Sequence, residues 1–281
     1  MKHHGHDAVI NCIILNGTTP SVQQEIHQRL RNISDGNANR ASGTDMTDLP
    51  SMEKPLAKYE DINPYTARVY DHPDILVPHP TPAEVRRRLE KLRMASTGGP
   101  APRVIVDLGC GSGNFLVGLA HRYPADIFIG FELRFKRLVR GAEKLEKQGS
   151  GNVILMRERA ENFAGYFDPD SLDVVYVNFP DPWQKKKQWK KRLVGTPLLE
   201  TLESLLRPGG VFRFKTDHSG YFLHVLSLTR NRKNMRPLSW SNHCQREASL
   251  LEPVRTEFEH LFRARGKQIF RLELEKRHPG D

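Results

Sequence analysis

Arg103-Val104-Ile105-Val106-Asp107-Leu108-Gly109-Cys110-Gly111-Ser112-Gly113-Asn114 joins an apolar run to an acid, three alternating glycines and the first residue of a helical pattern. An apolar run of this length reads as a buried strand, and glycines at every second position let the backbone turn sharply and approach a ligand in front of the following helix. The spacing is not that of a dinucleotide fingerprint, whose third glycine would stand at Asn114. A second apolar run, Ile127 to Phe131, ends in Glu132, a carboxylate placed at a strand end to accept the hydroxyls of a ribose. Beyond it, strands are expected near 153–156, 172–178, 211–216 and 269–274, with helices near 114–122, 134–148, 196–206 and 219–230. Strand and helix in alternation predict an α/β fold, a doubly wound and mostly parallel sheet.

The fourth strand, Leu172 to Val177, runs into Asn178-Phe179-Pro180-Asp181-Pro182-Trp183 and then the basic segment Lys185-Lys186-Lys187-Gln188-Trp189-Lys190-Lys191-Arg192. Open sheets bind ligands at the carboxyl ends of their strands, so Asp181 sits at an active-site address. Prolines on both sides restrict its backbone and set it beside the flat face of Trp183, which suits a planar substrate with polar edges. Charge runs are often only wet faces, and a Pro-rich turn followed by such a face is the plainer reading. The fifth strand ends in Thr216-Asp217, so Asp107, Glu132, Asp181 and Asp217 are expected around one cleft. No His is interleaved with these acids, and no metal site is expected. Thr256-Glu257-Phe258-Glu259 has the form of a capping box, which is compatible with a substrate contact as well.

The 281 residues suffice for one full α/β domain with extensions, and a net charge of +10 points to an acidic partner, most simply nucleic acid. Residues 1–53 read as an extension, with a helical spacing at Val22, Ile26, Leu30 and Ile33 before a polar linker from Ser34 to Ser51. Residues 54–100 read as an extended, proline-rich arm and a helix that starts at Thr81-Pro82-Ala83-Glu84, and residues 101–281 as the main domain. Ala8 to Leu15 is too short to span a membrane, so the expected location is cytoplasmic. Cys12, Cys110 and Cys244 give neither a disulfide framework nor a zinc pattern, and His3, His4 and His6 read as a frayed terminus.

Taken together, the residues from Pro100 to Lys276 resemble the tRNA (guanine-N7)-methyltransferases of the TrmB type. The alternating glycines after Asp107 resemble the first motif of S-adenosylmethionine-dependent methyltransferases, and Phe179 to Val194 (FPDPWQKKKQWKKRLV) resembles the specific signature of the family. The resemblance implies a Rossmann-like class I methyltransferase fold, S-adenosylmethionine as methyl donor and tRNA as partner. It implies donor contacts at Asp107, Gly109, Gly111, Gly113, Glu132 and Asp181, with Asp181 also catalytic. Lys185, Asp217 and Thr256, Glu257, Phe258 and Glu259 would contact the guanosine or its tRNA, and Lys187, Gln188, Trp189, Lys190, Lys191 and Arg192 the RNA. Arg159 stands where the family usually has Asp or Asn, so no adenine contact is carried over, and Gln188 stands where a His is common. A monomer or homodimer without an obligate protein partner is expected. Two rival readings differ in class: a methyltransferase acting on an exocyclic amine, against which the Asp between the prolines argues, and a non-catalytic RNA-binding protein that keeps the fold.

Overall fold

The structure is a computed structural model that describes residues 63–96, 99–230, 232–241 and 254–280. The extension, its linker, the terminal histidines, Cys12 and Cys244 lie outside the described residues. The chain divides into two compact units, Met1–Asp71 and His72–Asp281. Within the described part of the first, one helical turn, Tyr65–Arg68, is followed by a 3-10 turn, Val69–Asp71.

The second unit carries an eight-stranded sheet made of β1 (Leu76–Val77), β2 (Val104–Leu108), β3 (Ile127–Phe131), β4 (Val153–Met156), β5 (Leu172–Asn178), β6 (Leu206–Thr216), β7 (Met235–Ser241) and β8 (Phe270–Lys276). Its order is β1-β4-β3-β2-β5-β6-β8-β7, with every pairing parallel except β6 with β8 and β8 with β7. The expected doubly wound sheet is therefore present, closed on one side by an antiparallel pair. β2, β3 and β4 are buried at every position. Strands covered on both faces lose the polar alternation of a half-exposed sheet, which is why they read as unbroken apolar runs.

Six helices of two turns or more occur among the described residues: α1 (Pro82–Ala95), α2 (Asn114–Arg122), α3 (Phe135–Gln148), α4 (Thr196–Leu205), α5 (Ser219–Thr229) and α6 (Glu257–Ala264). Val85 and Leu89 of α1, Phe163 of the 3-10 helix Ala160–Tyr166, Leu198, Leu199 and Leu202 of α4, and Tyr221, Phe222 and Val225 of α5 share one core with Val104, Val106, Ile129 and Val175. The opposite face belongs to α2 and α3. There Phe115 meets the Tyr176 ring edge-on at 4.9 Å, and a β-carbon at Gly130 would come within 2.6 Å of Leu116, so that glycine is where α2 closes onto β3.

The helix ends follow local chemistry. The Thr81 hydroxyl accepts the Glu84 N–H at 3.2 Å, with Pro82 at the first helical position, as the sequence predicts for α1. α3 ends at Gly149, whose left-handed backbone lets its N–H reach Glu146 O at 2.9 Å and the next N–H reach Leu145 O at 3.0 Å. β1 lies where the prolines predict only extended chain, and it pairs with β4 through Leu76 and Val77.

Candidate active site at the sheet switch point

The chain leaves β2 toward β3 and β4 on one side, and later enters β5 and β6 on the other. The loops after β2 and β5 therefore diverge, and a crevice opens between them at the carboxyl ends of the strands. A cleft of 620 Å³ occupies this position, lined from β2 by Asp107 to Ser112, from β3 by Glu132 to Arg134, from β5 by Asn178 to Asp181 with Trp183, and from α6 by Glu257, Phe258 and Leu261.

On the β2 side, the N–H groups of Gly109 and Cys110 both donate to Phe131 O at 2.9 Å, which ties the loop to β3. Gly109, Gly111 and Gly113 all have positive φ, at 86°, 59° and 72°. They serve two ends. A β-carbon at Gly109 or Gly111 would meet no atom within 4 Å, so the backbone there faces open space, whereas one at Gly113 would press on Gly141 Cα at 3.3 Å. Gly109 and Gly111 line the cleft; Gly113 does not, and it caps α2 and lets α3 come close. Burial, with the Asp107 and Glu132 charges adding to it, pushes the Cys110 thiol well above its usual range, which marks it as a packing residue.

The acids at the carboxyl ends of β2 and β3 are buried and oriented. Asp107 is 2% exposed, with the Asn178 amide 3.5 Å from Oδ1. Asn178 Oδ1 is a buried acceptor with no partner among the described residues. Glu132 accepts the N–H groups of Leu133 and Arg134 on Oε1, both at 2.9 Å, and Arg137 stands 3.3 Å from Oε2. Open room over Gly109 and Gly111, an unspent acceptor on Asn178 and a fixed carboxylate at the β3 end fit a nucleoside-bearing donor.

On the β5 side, Asp181 is exposed at the cleft wall. Phe179 and Trp183 flank the Pro180-Asp181-Pro182 turn with φ of 51° and 40°, left-handed values that side chains adopt only under constraint. The Phe179 N–H donates to Lys215 O at 2.8 Å and its ring meets Phe262 edge-on at 5.3 Å, while Lys191 Nζ lies 4.9 Å from the centre of the Trp183 ring.

α6 closes the third side. Its cap is as the sequence predicts, with the Thr256 hydroxyl accepting the Glu259 N–H at 3.0 Å. Thr256, Glu257 and Phe258 line the cleft. Glu257 Oε2 accepts from Ser112 Oγ at 3.2 Å and Asn114 Nδ2 at 3.0 Å, joining α6 to the glycine loop. Glu259 points elsewhere: it is 2% exposed, and its carboxylate bridges Lys215 and Arg263, each at 3.0 Å.

One of the four strand-end acids stands away from the cleft. Asp217 does not line it but pairs with Lys267 Nζ at 2.6 Å, because β8 pairs antiparallel with β6 and the residues that lead into β8 therefore stand beside the end of β6. Of the basic segment only Lys191 reaches the lining; Lys185 caps the 3-10 helix Lys186–Lys191, where Lys185, Lys187 and Lys190 are exposed, Gln188 and Trp189 half-buried. Arg192 is buried. Sequence reasoning missed Arg134, Arg137 and Arg140, which line the cleft at one-turn spacing just after Glu132; that i, i+3, i+6 pattern was their available signal.

The methyltransferase family profile Methyltransf_4 matches residues 101–272. The chain is 33% identical over 169 residues to a tRNA (guanine-N(7)-)-methyltransferase of Oceanobacillus iheyensis, covering 60% of this chain and 78% of that protein. The chain belongs to this methyltransferase family. A second tRNA (guanine-N(7)-)-methyltransferase, from Lactobacillus acidophilus, is 30% identical over 73% of this chain and 91% of its own length. A bifunctional glycosyltransferase/methyltransferase of Fusobacterium nucleatum is 33% identical over 76% of this chain, which spans only 33% of that longer protein.

Proposed function

We propose that this methyltransferase moves the methyl group of S-adenosylmethionine to N7 of a guanosine in the variable loop of tRNA. The observation that carries the reading is the meeting, in one cleft, of a donor half (Asp107, Gly109, Gly111, Glu132) and an acceptor half (Asp181, Trp183, Lys191). S-adenosylmethionine supplies a sulfonium methyl. Guanine N7 has its own lone pair, so the N7–CH3 bond forms as the S–CH3 bond breaks and no proton has to be removed. What remains for the protein is alignment and electrostatics.

Glu132 holds the ribose, and Asp107 with the loop backbone faces the amino acid end. Positive charge passes from sulfur to the purine. Asp181 accepts from the guanine N1–H and exocyclic amino edge, a contact that strengthens as the ring becomes cationic. Lys185, Lys187, Lys190 and Lys191 hold phosphates, and the Trp183 face receives a base. The reading places the protein in the cytoplasm with tRNA; no described helix is long and apolar enough to cross a membrane.

Three measurements test it. tRNA incubated with protein and donor, reduced with borohydride and treated with aniline, is expected to break at a single guanosine in the variable loop, because an N7-methylated ring is cationic and fragile. A methylated product that resists cleavage, or carries its methyl on an exocyclic amine, overturns the N7 assignment. Asp107→Ala and Glu132→Ala are each expected to weaken donor binding by about 1.5–3 kcal/mol, the usual value of a hydrogen bond to a charged group; unchanged calorimetric affinity in both folded variants removes the donor from this half. Replacing Lys185, Lys187, Lys190 and Lys191 by Met together is expected to weaken tRNA binding and flatten its log-log salt dependence by about 0.7–0.9 for each phosphate no longer neutralised. An identical slope in wild type and variant leaves the segment a solvated face.

A further inference from the structure

The basic residues after the Asp181 turn fall into two populations. Lys185, Lys186, Lys187, Lys190 and Lys191 are exposed, whereas Arg192, the last of the run, is 6% exposed. Its guanidinium lies between two aromatic faces, 4.4 Å from the centre of the Trp189 ring and 4.6 Å from that of Tyr221. Nε donates to Pro182 O at 2.8 Å, and the buried Nη1 has no partner among the described residues. Tyr221 is itself fixed, fully buried, with its hydroxyl accepting the Val194 N–H at 2.8 Å.

We propose that Arg192 is a positioning residue for the Asp181 turn, and that it holds the Pro182–Trp183 peptide in place instead of binding an RNA phosphate. The inference rests on the reading that Asp181 acts on the guanosine. Phe179 and Trp183 are both left-handed, and such residues persist only where their surroundings over-determine them. The Phe179 end is held by its N–H on Lys215 and its ring on Phe262. At the other end, Pro182 O belongs to the peptide unit that enters Trp183, so the Arg192 bond fixes the plane from which that φ starts. Asp181 lies between the two anchors. Arginine suits this task because its planar group stacks on two rings while Nε bonds in its own plane; a lysine ammonium cannot do both.

The test compares Arg192→Lys and Arg192→Met with Lys187→Met, using the full chain. Three quantities are read: kcat against KM for tRNA, the salt slope of tRNA binding, and amide hydrogen exchange over residues 179–184. Both Arg192 variants are expected to lose about 10- to 100-fold in kcat, as a misplaced reacting group does, with KM for tRNA and the salt slope unchanged and exchange in the turn faster. Lys187→Met is expected to do the reverse, flattening the slope and leaving exchange alone. Full activity in Arg192→Lys, or a slope lowered by about 0.7–0.9 in Arg192→Met, makes Arg192 a phosphate ligand and overturns the proposal. Should Arg192→Met fail to fold, Arg192→Lys keeps the charge and stem and carries the test. The exchange arm needs no activity: if wild-type protein leaves tRNA unmethylated the functional reading fails, while unchanged protection of the turn in the variants sinks the role of Arg192.

Discussion

Asp181→Ala is expected to lower the methylation rate by at least about 100-fold while donor binding remains measurable, the pattern of a group that acts mainly in the transition state. The ground-state guanine is neutral, and its N1 and amino protons can be satisfied by water. Once N7 carries the methyl the ring is cationic, and a carboxylate facing those protons is worth most at that moment. The location of Asp181 sharpens the expectation. It is exposed in a turn whose ends are anchored through Phe179 and Trp183, so truncating its side chain leaves no buried orphan and no reason for the turn to collapse. Asp181→Asn, which keeps the shape and loses the charge, is expected to fall between wild type and Ala. Single-turnover methylation with saturating donor and tRNA checks this; a rate within about threefold of wild type for Asp181→Ala removes Asp181 from the chemistry.

Glu259→Leu is expected to destabilise the fold by about 3–5 kcal/mol, the cost of taking the counter-ion from a buried cation. Lys215 Nζ, on a side chain 4% exposed, would lose its carboxylate at 3.0 Å, and Arg263 the second arm of the same bridge. The double variant Lys215→Met with Glu259→Leu is expected to recover a large part of the loss, since an apolar pair of similar volume replaces the ions. Urea unfolding of the three proteins measures it. pH gives an independent reading. Burial raises the Glu259 carboxyl, but Lys215 and Arg263 outweigh burial and hold it below the usual 4.5. A folded value below the unfolded one means stability that is present above the unfolded value and lost as pH falls through the folded one. Wild type is thus expected to lose this contribution only on acidification below about 4.5, and the double variant to lack that part of its acid dependence.

Much of this was legible because both faces of the sheet are covered. β2, β3, β4 and β5 announce themselves as apolar runs, and the polar residues that end them, Asp107, Glu132 and Asn178 to Asp181, stand out as cleft residues. β7 was not legible. Met-Arg-Pro-Leu-Ser-Trp-Ser is an edge strand with Leu238 and Trp240 exposed and Pro237 within it, and an edge held by one neighbour carries no apolar run to betray it. The site failed to read where position in a motif and direction of a side chain part company. Thr256 to Glu259 is contiguous in sequence, yet one helical turn sends Glu257 to the glycine loop and Glu259 into the core beside Lys215. Arg192 shows the same limit, since a run of like charges gives no sign that its last member is turned inward between two rings.

The placement of β8 between β6 and β7 has a consequence for how the protein is made. β8 is the last described strand along the chain and the seventh of eight across the sheet, hydrogen-bonded on both edges. On the ribosome β6 and β7 emerge first and have no partner on their facing edges until Phe270–Lys276 follows, an interval of seconds at about 5–20 residues per second. The parallel half of the sheet can assemble during that interval, but the antiparallel half waits for the insertion of β8. A nascent chain stalled before Phe270 therefore presents two open strand edges at once, which makes that stretch of synthesis the point of greatest demand for chaperone cover.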